Sequence, residues 1–345
     1  MSFKHETQIR IGFPLSLSGG GPSIFMKRLR ESIYKQRLAK VSFFINPFND
    51  IDIFSNLARD IYGKPYIFRV DGICFDKKEI DKANNLKNKP IFDGIDRAAG
   101  IVFQSRFDYK LVTKFYGKID KPYEIINNGV DINIFSPEGS NKRKDLSIAD
   151  NDLVFITSAK WRAHKRLQDA IELFIEYEKN SDRTCHLLIL GRDANFENVA
   201  YPHIYHVGFV QPGELPAWYR TGNIFLFLSW LDHCPNTVIE ALACGLPVVC
   251  TNQGGTKELV ELTNGGIAAE ADREFNFEPV ELYNPPKPDY QRILDAINRI
   301  ITKYDNYVMG MDKSKINIDY VAINYYNFIE RVLTTLNKES IQQKG

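Results

Sequence analysis

Two acids, Asp232 and Glu240, bracket a short polar segment inside NIFLFLSWLDHCPNTVIEALACGLPVVCTNQGGTKELV, residues 223–260. The pattern reads as a strand ending at Ser229, then a loop carrying Asp232, His233, Cys234, Pro235 and Asn236, then a short helix presenting Glu240. A carboxylate accepts paired hydrogen bonds from a vicinal diol, and the first amides of a helix can face a phosphate. A second stretch with chemical potential, SLSGGGPSIFMKRL at 16–29, follows the first predicted strand and opens a helix. There Gly19, Gly20 and Gly21 permit close backbone approach, Pro22 suits the first helical turn, and the helix start attracts anions.

Other familiar chemistries lack their residues. GGGPSIF has neither the GxGxxG spacing an NAD-dependent oxidoreductase needs nor the Lys-Ser/Thr of a Walker loop. Asp50 with Asp52, and Asp150 with Asp152, imitate a metal-binding DxD, but both pairs stand beside predicted element starts, where Asp caps or turns the chain. His203 and His206 have no third ligand at a suitable spacing, so they are read as structural and no metal or other cofactor is expected. No GxSxG elbow or HExxH helix occurs.

The elements that must hold these residues come in two series. Apolar runs at 9–14, 41–46, 66–70, 100–104 and 123–126 lack inside/outside alternation, as parallel strands covered on both faces do, and helical spacing recurs at 22–38, 51–62 and 106–115. A polar stretch, PEGSNKRKDLSIAD at 137–150, has the composition of an exposed linker. The pattern then restarts, with strands at 153–158, 186–190, 204–209, 223–228, 246–251 and 266–269 and helices at 165–178, 236–244 and 256–262. The expected fold is α/β, two doubly wound Rossmann-like domains, with ligands at the carboxyl ends of the strands and a site in a cleft between them.

Size and composition agree with that organisation. A chain of 345 residues exceeds the span one core usually fills. No apolar stretch is long enough to cross a bilayer and the first ten residues lack the apolar core of a signal peptide, so a cytoplasmic protein is expected. Five cysteines without a CxxC pair suit reduced, buried thiols. Net charge +1 gives nucleic acid no electrostatic hold, yet residues 1–138 carry 22 Lys and Arg against 16 Asp and Glu, and the remainder 22 against 27. Within the basic half, the 22–38 helix sets Lys27, Arg28, Arg30, Lys35 and Arg37 among Ile24, Phe25, Leu29 and Ile33. Such a helix packs its apolar face on a sheet or lies on an anionic membrane at the inner face of a cell.

The ordered run Asp232, Glu240, EALACG (240–245), LPVV (246–249) and Gly254-Gly255 resembles family 4 of the retaining glycosyltransferases, which have the GT-B fold. The resemblance implies that Glu240 holds the ribose hydroxyls of a nucleotide sugar. It likewise implies that Asp232 and the amides of Cys234, Pro235, Asn236 and Thr237 lie at the sugar and distal phosphate, proline contributing its place in the turn rather than an N–H. The family usually has Glu where this chain has Asp232. In ITSAKWRAHKRLQDAIELF (156–174), Lys160 and Lys165 fall where the family has an Arg and a Lys that clamp the diphosphate, with Arg162 and Arg166 near enough to supplement them. Such a clamp acts on the rate, because negative charge grows on the departing nucleoside diphosphate.

Further family marks are FQSRFDYKLVTKFYG (103–117), IINNGVDINIF (125–135), VGFVQPGELPAWY (207–219) and the closing DYVAINYYNFIERVL (319–333). By resemblance, Asn128 and Gly129 form the hinge, Phe209 and Val210 lie beside the base, Gly19 to Gly21 face the donor, and the last helix returns to the first domain. The implied division is 1–138 for the acceptor, 139–318 for the donor and 319–345 for the returning helix and tail. Val70 stands where many members have a histidine, leaving Asp71 as the only member of that His-Asp pair. The activity implied by the resemblance is transfer of a sugar from a nucleotide-diphosphate sugar to a glycan, lipid-linked or other hydroxyl acceptor; a nucleotide-sugar-binding protein without turnover is the alternative.

Overall fold

The computed structural model describes residues 7–11, 21–42, 50–55, 64–82, 86–192 and 201–342. The chain divides into two compact units, Met1–Asp131 with Ile316–Gly345, and Ile132–Lys315. The first contains β1 (Gln8–Ile11), α1 (Gly21–Lys35), β2 (Lys40–Ser42), β3 (Ile51–Ser55), β4 (Tyr66–Val70), α2 (Lys77–Lys82), α3 (Lys89–Arg97), β5 (Gly100–Phe103), α4 (Arg106–Tyr116) and β6 (Tyr123–Ile125). The second contains β7 (Leu153–Lys160), α5 (Leu167–Lys179), β8 (Cys185–Arg192), β9 (Ile204–Gly208), α6 (Leu215–Tyr219), β10 (Ile224–Phe227), α7 (Asn236–Ala243), β11 (Val248–Thr251), α8 (Thr256–Thr263), β12 (Gly266–Ala269), α9 (Tyr290–Thr302) and α10 (Tyr304–Met309). A long helix, α11 (Ile318–Gln342), belongs to the first unit.

The first unit is built on a six-stranded parallel sheet of order β2-β1-β3-β4-β5-β6. Side chains alternate across it. Ile9, Ile51, Ile67 and Val102 pack with Phe25, Met26, Leu29 and Ile33 of α1 and Val321, Tyr325 and Ile329 of α11. Phe68, the neighbour of Ile67, points the other way, so close under α3 that a Cβ on Gly94 would lie 2.7 Å from its ring. Helix α4 begins at a capping serine, Ser105 Oγ accepting from Asp108 N at 3.0 Å. Helix α11 is tied in by Ser32 Oγ donating to Asp319 Oδ1 at 2.6 Å and by Val130, whose N–H and carbonyl bond Ile316 and Ile318 at 2.9 Å.

The second unit carries another parallel sheet, β12-β11-β10-β7-β8-β9. One face, with Phe155, Leu187, Leu226 and Val249, is covered by α5 and α9. The opposite face meets α6 and α7, where Phe225 packs on Tyr219 at 5.8 Å between ring centroids. Strand order reverses between β7 and β10, so their carboxyl ends splay apart at a topological switch point.

Two sequence expectations change. Residues 51–55 form a strand rather than the start of a helix, because Ile51, Asp52, Ile53 and Phe54 are all buried between β1 and β4. The remainder of the 51–62 segment lies outside the described residues, as do 12–14 and 43–46 of the first two expected strands. The 137–150 stretch is not a free linker. Arg143 is buried and donates to the carbonyls of Ala149, Asp152 and Thr221 at 2.7, 3.2 and 3.2 Å and to Asn223 Oδ1 at 2.7 Å, and Ile148 is buried beside it. A polar composition hid one arginine that satisfies a whole turn of backbone. Helix α1 packs its apolar face on the core, the first of the two readings of its sequence, and leaves Ile24, Lys27, Glu31, Tyr34 and Lys35 exposed. No helix among the described residues is long and apolar enough to cross a membrane.

All three tryptophans, Trp161, Trp218 and Trp230, lie in the second unit, so indole fluorescence follows its unfolding separately. Arg143→Ala orphans several buried carbonyls and should destabilise that unit by about 2–4 kcal/mol in fluorescence-monitored urea unfolding. An unshifted midpoint would return 137–150 to the status of a linker.

Candidate functional site

Of the charged residues singled out in the second half, Lys165 and Asp232 meet at the switch point of its sheet, while Lys160 ends β7 and Glu240 lies on α7. Strand β7 ends at Lys160, paired in register with Arg192 at the end of β8. Gly191 sits in the left-handed region at φ 116°, where a Cβ would lie 1.8 Å from the Ala159 carbonyl oxygen. Trp161 N and Nε1 donate to the carbonyls of Arg192 and Leu190 at 2.9 and 3.0 Å, closing the end of the strand pair.

A single 3-10 turn, Ala163–Lys165, then leads into α5 through Arg166, itself left-handed at φ 52°. Arg166 is not a surface supplement to the lysines. Its buried guanidinium grips Asp272 with two bonds of 2.9 and 2.7 Å and donates to the Pro286 carbonyl at 2.7 Å. Burial removes Arg166 from the ligand and makes it the anchor of the turn.

Held by that turn, Lys165 forms an ion pair with Asp232, which follows β10, and stands 5.6 Å from the centre of the Phe227 ring. The two loops are stitched together by Trp230 N donating to the His164 carbonyl at 2.8 Å. Ser229 Oγ donates to Asp232 Oδ2 at 3.4 Å, and Gly255 N donates to the Asp232 carbonyl at 2.7 Å. The glycine pair after β11 has its reason here: a Cβ on Gly254, φ 93°, would lie 2.9 Å from that same carbonyl oxygen. Burial by itself would raise the Asp232 carboxyl, but the charge and hydrogen bond of Lys165 outweigh it and hold the acid below its ordinary value. His164 is pushed down to about 3, first by burial and then by Lys165, so its ring is neutral at physiological pH. The Tyr283 ring packs against it, 5.4 Å between centroids.

Glu240 lies on α7, only 5% exposed, and accepts from Tyr219 Oη at 3.2 Å. Cys234 is buried, Pro235 precedes the helix, and intrahelical bonding begins with Val238 N donating to the Pro235 carbonyl at 3.2 Å, so Asn236 and Thr237 form the first turn. Phe209, just past β9, is 57% exposed under the Arg192 guanidinium at 5.5 Å, whereas Val210 is buried. Lys160 is exposed at the mouth of the same edge.

The remaining sites fall in the first unit. Asp71 is ion-paired with Arg69, both side chains sealed from solvent, and Arg69 also donates to Asn128 Oδ1 at 2.6 Å and Gln104 Oε1 at 3.2 Å. Val70 is fully buried in β4. Gly129 is needed for close approach rather than for a left-handed turn, since a Cβ there would lie 3.0 Å from Ile318 Cα. Gly21 opens α1; Gly19 and Gly20 lie outside the described residues. The DxD look-alikes are engaged elsewhere: Asp50 accepts from Gln8 N at 2.8 Å, Asp52 pairs with Arg10, and Asp152 bonds His186 at 3.0 Å. His203 pairs with Glu178 and packs on His186. Among the described residues no group of three or more His, Cys, Asp or Glu could hold a metal ion. Sequence reasoning missed Tyr219, His164 and the pairing of Arg166 with Asp272; Tyr219, His164 and Arg166 all stand in family-like runs, but their partners Glu240, Tyr283 and Asp272 are distant in sequence.

Residues 150–279, which contain Lys160, Lys165, Asp232 and Glu240, match the family described as Glycosyl transferases group 1. The chain is 24% identical over 199 residues to spore coat protein SA of Bacillus subtilis, covering 50% of this chain and 51% of that one. It is 26% identical over 171 residues to alpha-monoglucosyldiacylglycerol synthase of Acholeplasma laidlawii, covering 46% and 43%. It thus spans about half the length of the curated relatives it matches. Among solved structures it resembles HepE of Anabaena in complex with UDP and glucose, with 15% identity, TM-score 0.62 and coverage of 98% of this chain and 100% of that one. Sucrose-phosphate synthase of Thermosynechococcus elongatus gives 12%, 0.63, 98% and 99%. At such identity the likeness is one of fold, and the fold is GT-B.

The ion pair makes a prediction about pH. With Lys165 present, Asp232 has a folded pKa below its ordinary 3.8, so its contribution to stability is complete above that value and is lost only as pH falls through the lower, folded one. Lys165→Met leaves burial alone, raising the acid and costing about 2–4 kcal/mol at neutral pH. The gap in Tm between wild type and variant should narrow as pH falls from about 7 toward 4, and Asp232→Asn in the Lys165→Met background should restore part of the loss. A gap that stays constant with pH would separate the two residues.

Proposed function

We propose that this chain, a group 1 glycosyl transferase by its residues 150–279, moves a sugar from a nucleotide-diphosphate sugar to an acceptor hydroxyl with retention at the anomeric carbon, as expected of family 4. One observation carries the reading. The matched segment brings Lys165 to Asp232 at the switch point, with Glu240 buried on the helix that comes next, a cation and two carboxylates on the carboxyl edge of one sheet.

The assigned roles follow from charge. The diphosphate faces Lys160 and Lys165, the ribose diol bonds Glu240, the first turn of α7 at Asn236 and Thr237 faces the distal phosphate, and the base lies by Phe209 and Val210. A diphosphate that reaches Lys165 competes with Asp232 for it, and the released carboxylate becomes an acceptor for a sugar hydroxyl. As the glycosidic bond breaks, charge collects on the leaving phosphate, where Lys165 stabilises it more than in the ground state. The departing phosphate takes the acceptor's proton on the same face, which preserves configuration. Nothing in this scheme requires a resident cofactor, since the nucleotide sugar is consumed as a substrate. The first unit is assigned the acceptor, with Asp71 acting there through Arg69; Asn128 and Gly129 are assigned the hinge, and Gly19 to Gly21 the donor side. The setting is the biosynthesis of a polysaccharide or glycoconjugate, in the cytoplasm.

UDP-, GDP- and ADP-sugars, UDP-glucose first, should be screened for nucleotide release with and without saccharide acceptors. For the accepted donor, Lys165→Ala should lower kcat by roughly tenfold to a thousandfold at saturating donor, the scale of losing one electrostatic stabiliser. Tight nucleotide binding without any release would favour the binding protein, and an unchanged kcat would remove Lys165 from the chemistry.

A lipid-linked acceptor is the second arm, favoured by the diacylglycerol-modifying relative. Since the stripe of α1 is buried, contact with an anionic surface falls to Ile24, Lys27, Tyr34 and Lys35, with the acid Glu31 among them paired to Lys27. Co-sedimentation with anionic but not neutral liposomes, weakened by moderate salt, is the expected result; no co-sedimentation at low salt leaves a soluble acceptor.

A further inference from the structure

Tyr219 closes α6 with its side chain wholly buried, its ring packed on Phe225 at 5.8 Å and near Phe135 at 6.3 Å. Phenylalanine would fill such an apolar setting equally well. A hydroxyl placed there costs free energy unless it is bonded, so the bonds it makes explain its presence. Oη donates to Glu240 Oε2 at 3.2 Å and stands within hydrogen-bond reach of the Ser158 hydroxyl on β7. The phenol thus links the strand that ends in Lys160 to the helix that carries Glu240. Burial first, and then the charge of Glu240, push its pKa far above the ordinary value, so it remains a donor at every working pH.

A glutamate has three rotatable bonds, and a carboxylate meant to receive two hydroxyls of a diol must present one edge in a fixed direction. We propose that Tyr219 is a positioning residue for ribose recognition: its hydroxyl fixes the rotation of the Glu240 carboxylate so that a preformed acceptor edge meets the vicinal diol. This rests on the assignment of Glu240 to the ribose. Tyr219 itself touches no ligand. Its effect therefore appears only with ligands that carry the diol, a signature that loss of packing does not produce.

The experiment compares binding of the tightest of UDP, GDP and ADP with binding of its 2′,3′-dideoxy analogue by calorimetry, for wild type, Tyr219→Phe and Glu240→Ala. Wild type should prefer the ribose form by about tenfold or more, as expected when a charged group loses its hydrogen-bonding partners. Tyr219→Phe should shrink that preference by about threefold to tenfold through weaker binding of the ribose form, with the dideoxy Kd unchanged within about twofold. Glu240→Ala should abolish the preference, and adding Tyr219→Phe to it should change nothing further. If Tyr219→Phe keeps the full preference, or weakens both nucleotides in parallel, the positioning role is overturned while the ribose assignment stands. A wild type without preference, or binding none of the three, overturns the assignment of Glu240 and the inference with it.

Discussion

Arg166 places a guanidinium inside the second unit and answers its charge there, with two bonds to Asp272 and one to the carbonyl of Pro286. Buried arginine is tolerable only with such partners, because removing one leaves an uncompensated charge in a poorly polarisable interior. The consequence is geometric. The turn before α5 and the segment between β12 and α9 cannot move independently, and Lys165, one residue before the arginine, inherits a fixed direction of projection. His164, on its other side, gives its carbonyl to Trp230 N and so binds the β10 loop to the same frame.

On that frame the electrostatics are arranged to be exchangeable. Asp232 and Lys165 are both mostly buried, and each is the other's answer to desolvation. A ligand with more negative charge than a carboxylate can take the lysine, whereas a neutral ligand cannot open the pair without leaving both ions bare. On the proposed reading, the pair favours polyanionic ligands before any fine contact is made. Glu240 is stabilised differently, through the dipole of a neutral phenol, which leaves its negative charge uncancelled by that partner and available to hydroxyl donors. Two carboxylates, one on the loop after β10 and one on α7, thus have different partners, a cation for Asp232 and a phenol for Glu240.

Much of this was legible in the sequence. Unalternating apolar runs disclosed both parallel sheets, and Lys165, Asp232 and Gly254-Gly255, far apart along the chain, are brought together at one edge of the second. Where reading failed, the deciding contacts were distant in sequence or contrary to composition. Residues 51–55 looked helical because Asp52 interrupts the apolar run, but Arg10 on β1 bonds that aspartate and lets it lie in a central strand. The 137–150 stretch looked like a linker because its buried residues are only Ile148 and an arginine whose acceptors are mostly backbone carbonyls. The pairing of Asp71 with Arg69 was not legible, because nothing in PYIFRVDG reveals that Arg69 turns to meet it.

Backbone conformation marks the same place as the charges. Of the five non-glycine residues of the second unit that occupy the left-handed region among the described residues, two, Arg166 at φ 52° and Leu231 at φ 56°, are each the chain neighbour of one member of the Lys165–Asp232 pair. Such conformations cost on the order of 1 kcal/mol or more and persist only where the surroundings overdetermine them. For Arg166 the surroundings are the Asp272 pair. For Leu231 they are the bonds on either side of it, Trp230 N to the His164 carbonyl and Gly255 N to the Asp232 carbonyl, with Gly254 keeping clear the space that a side chain would fill. Strain held by contacts from three separate loops is not an accident of one turn. It fixes the lysine and the aspartate in mutual reach before any ligand arrives, so the ordering has already been met by folding and is not charged against binding.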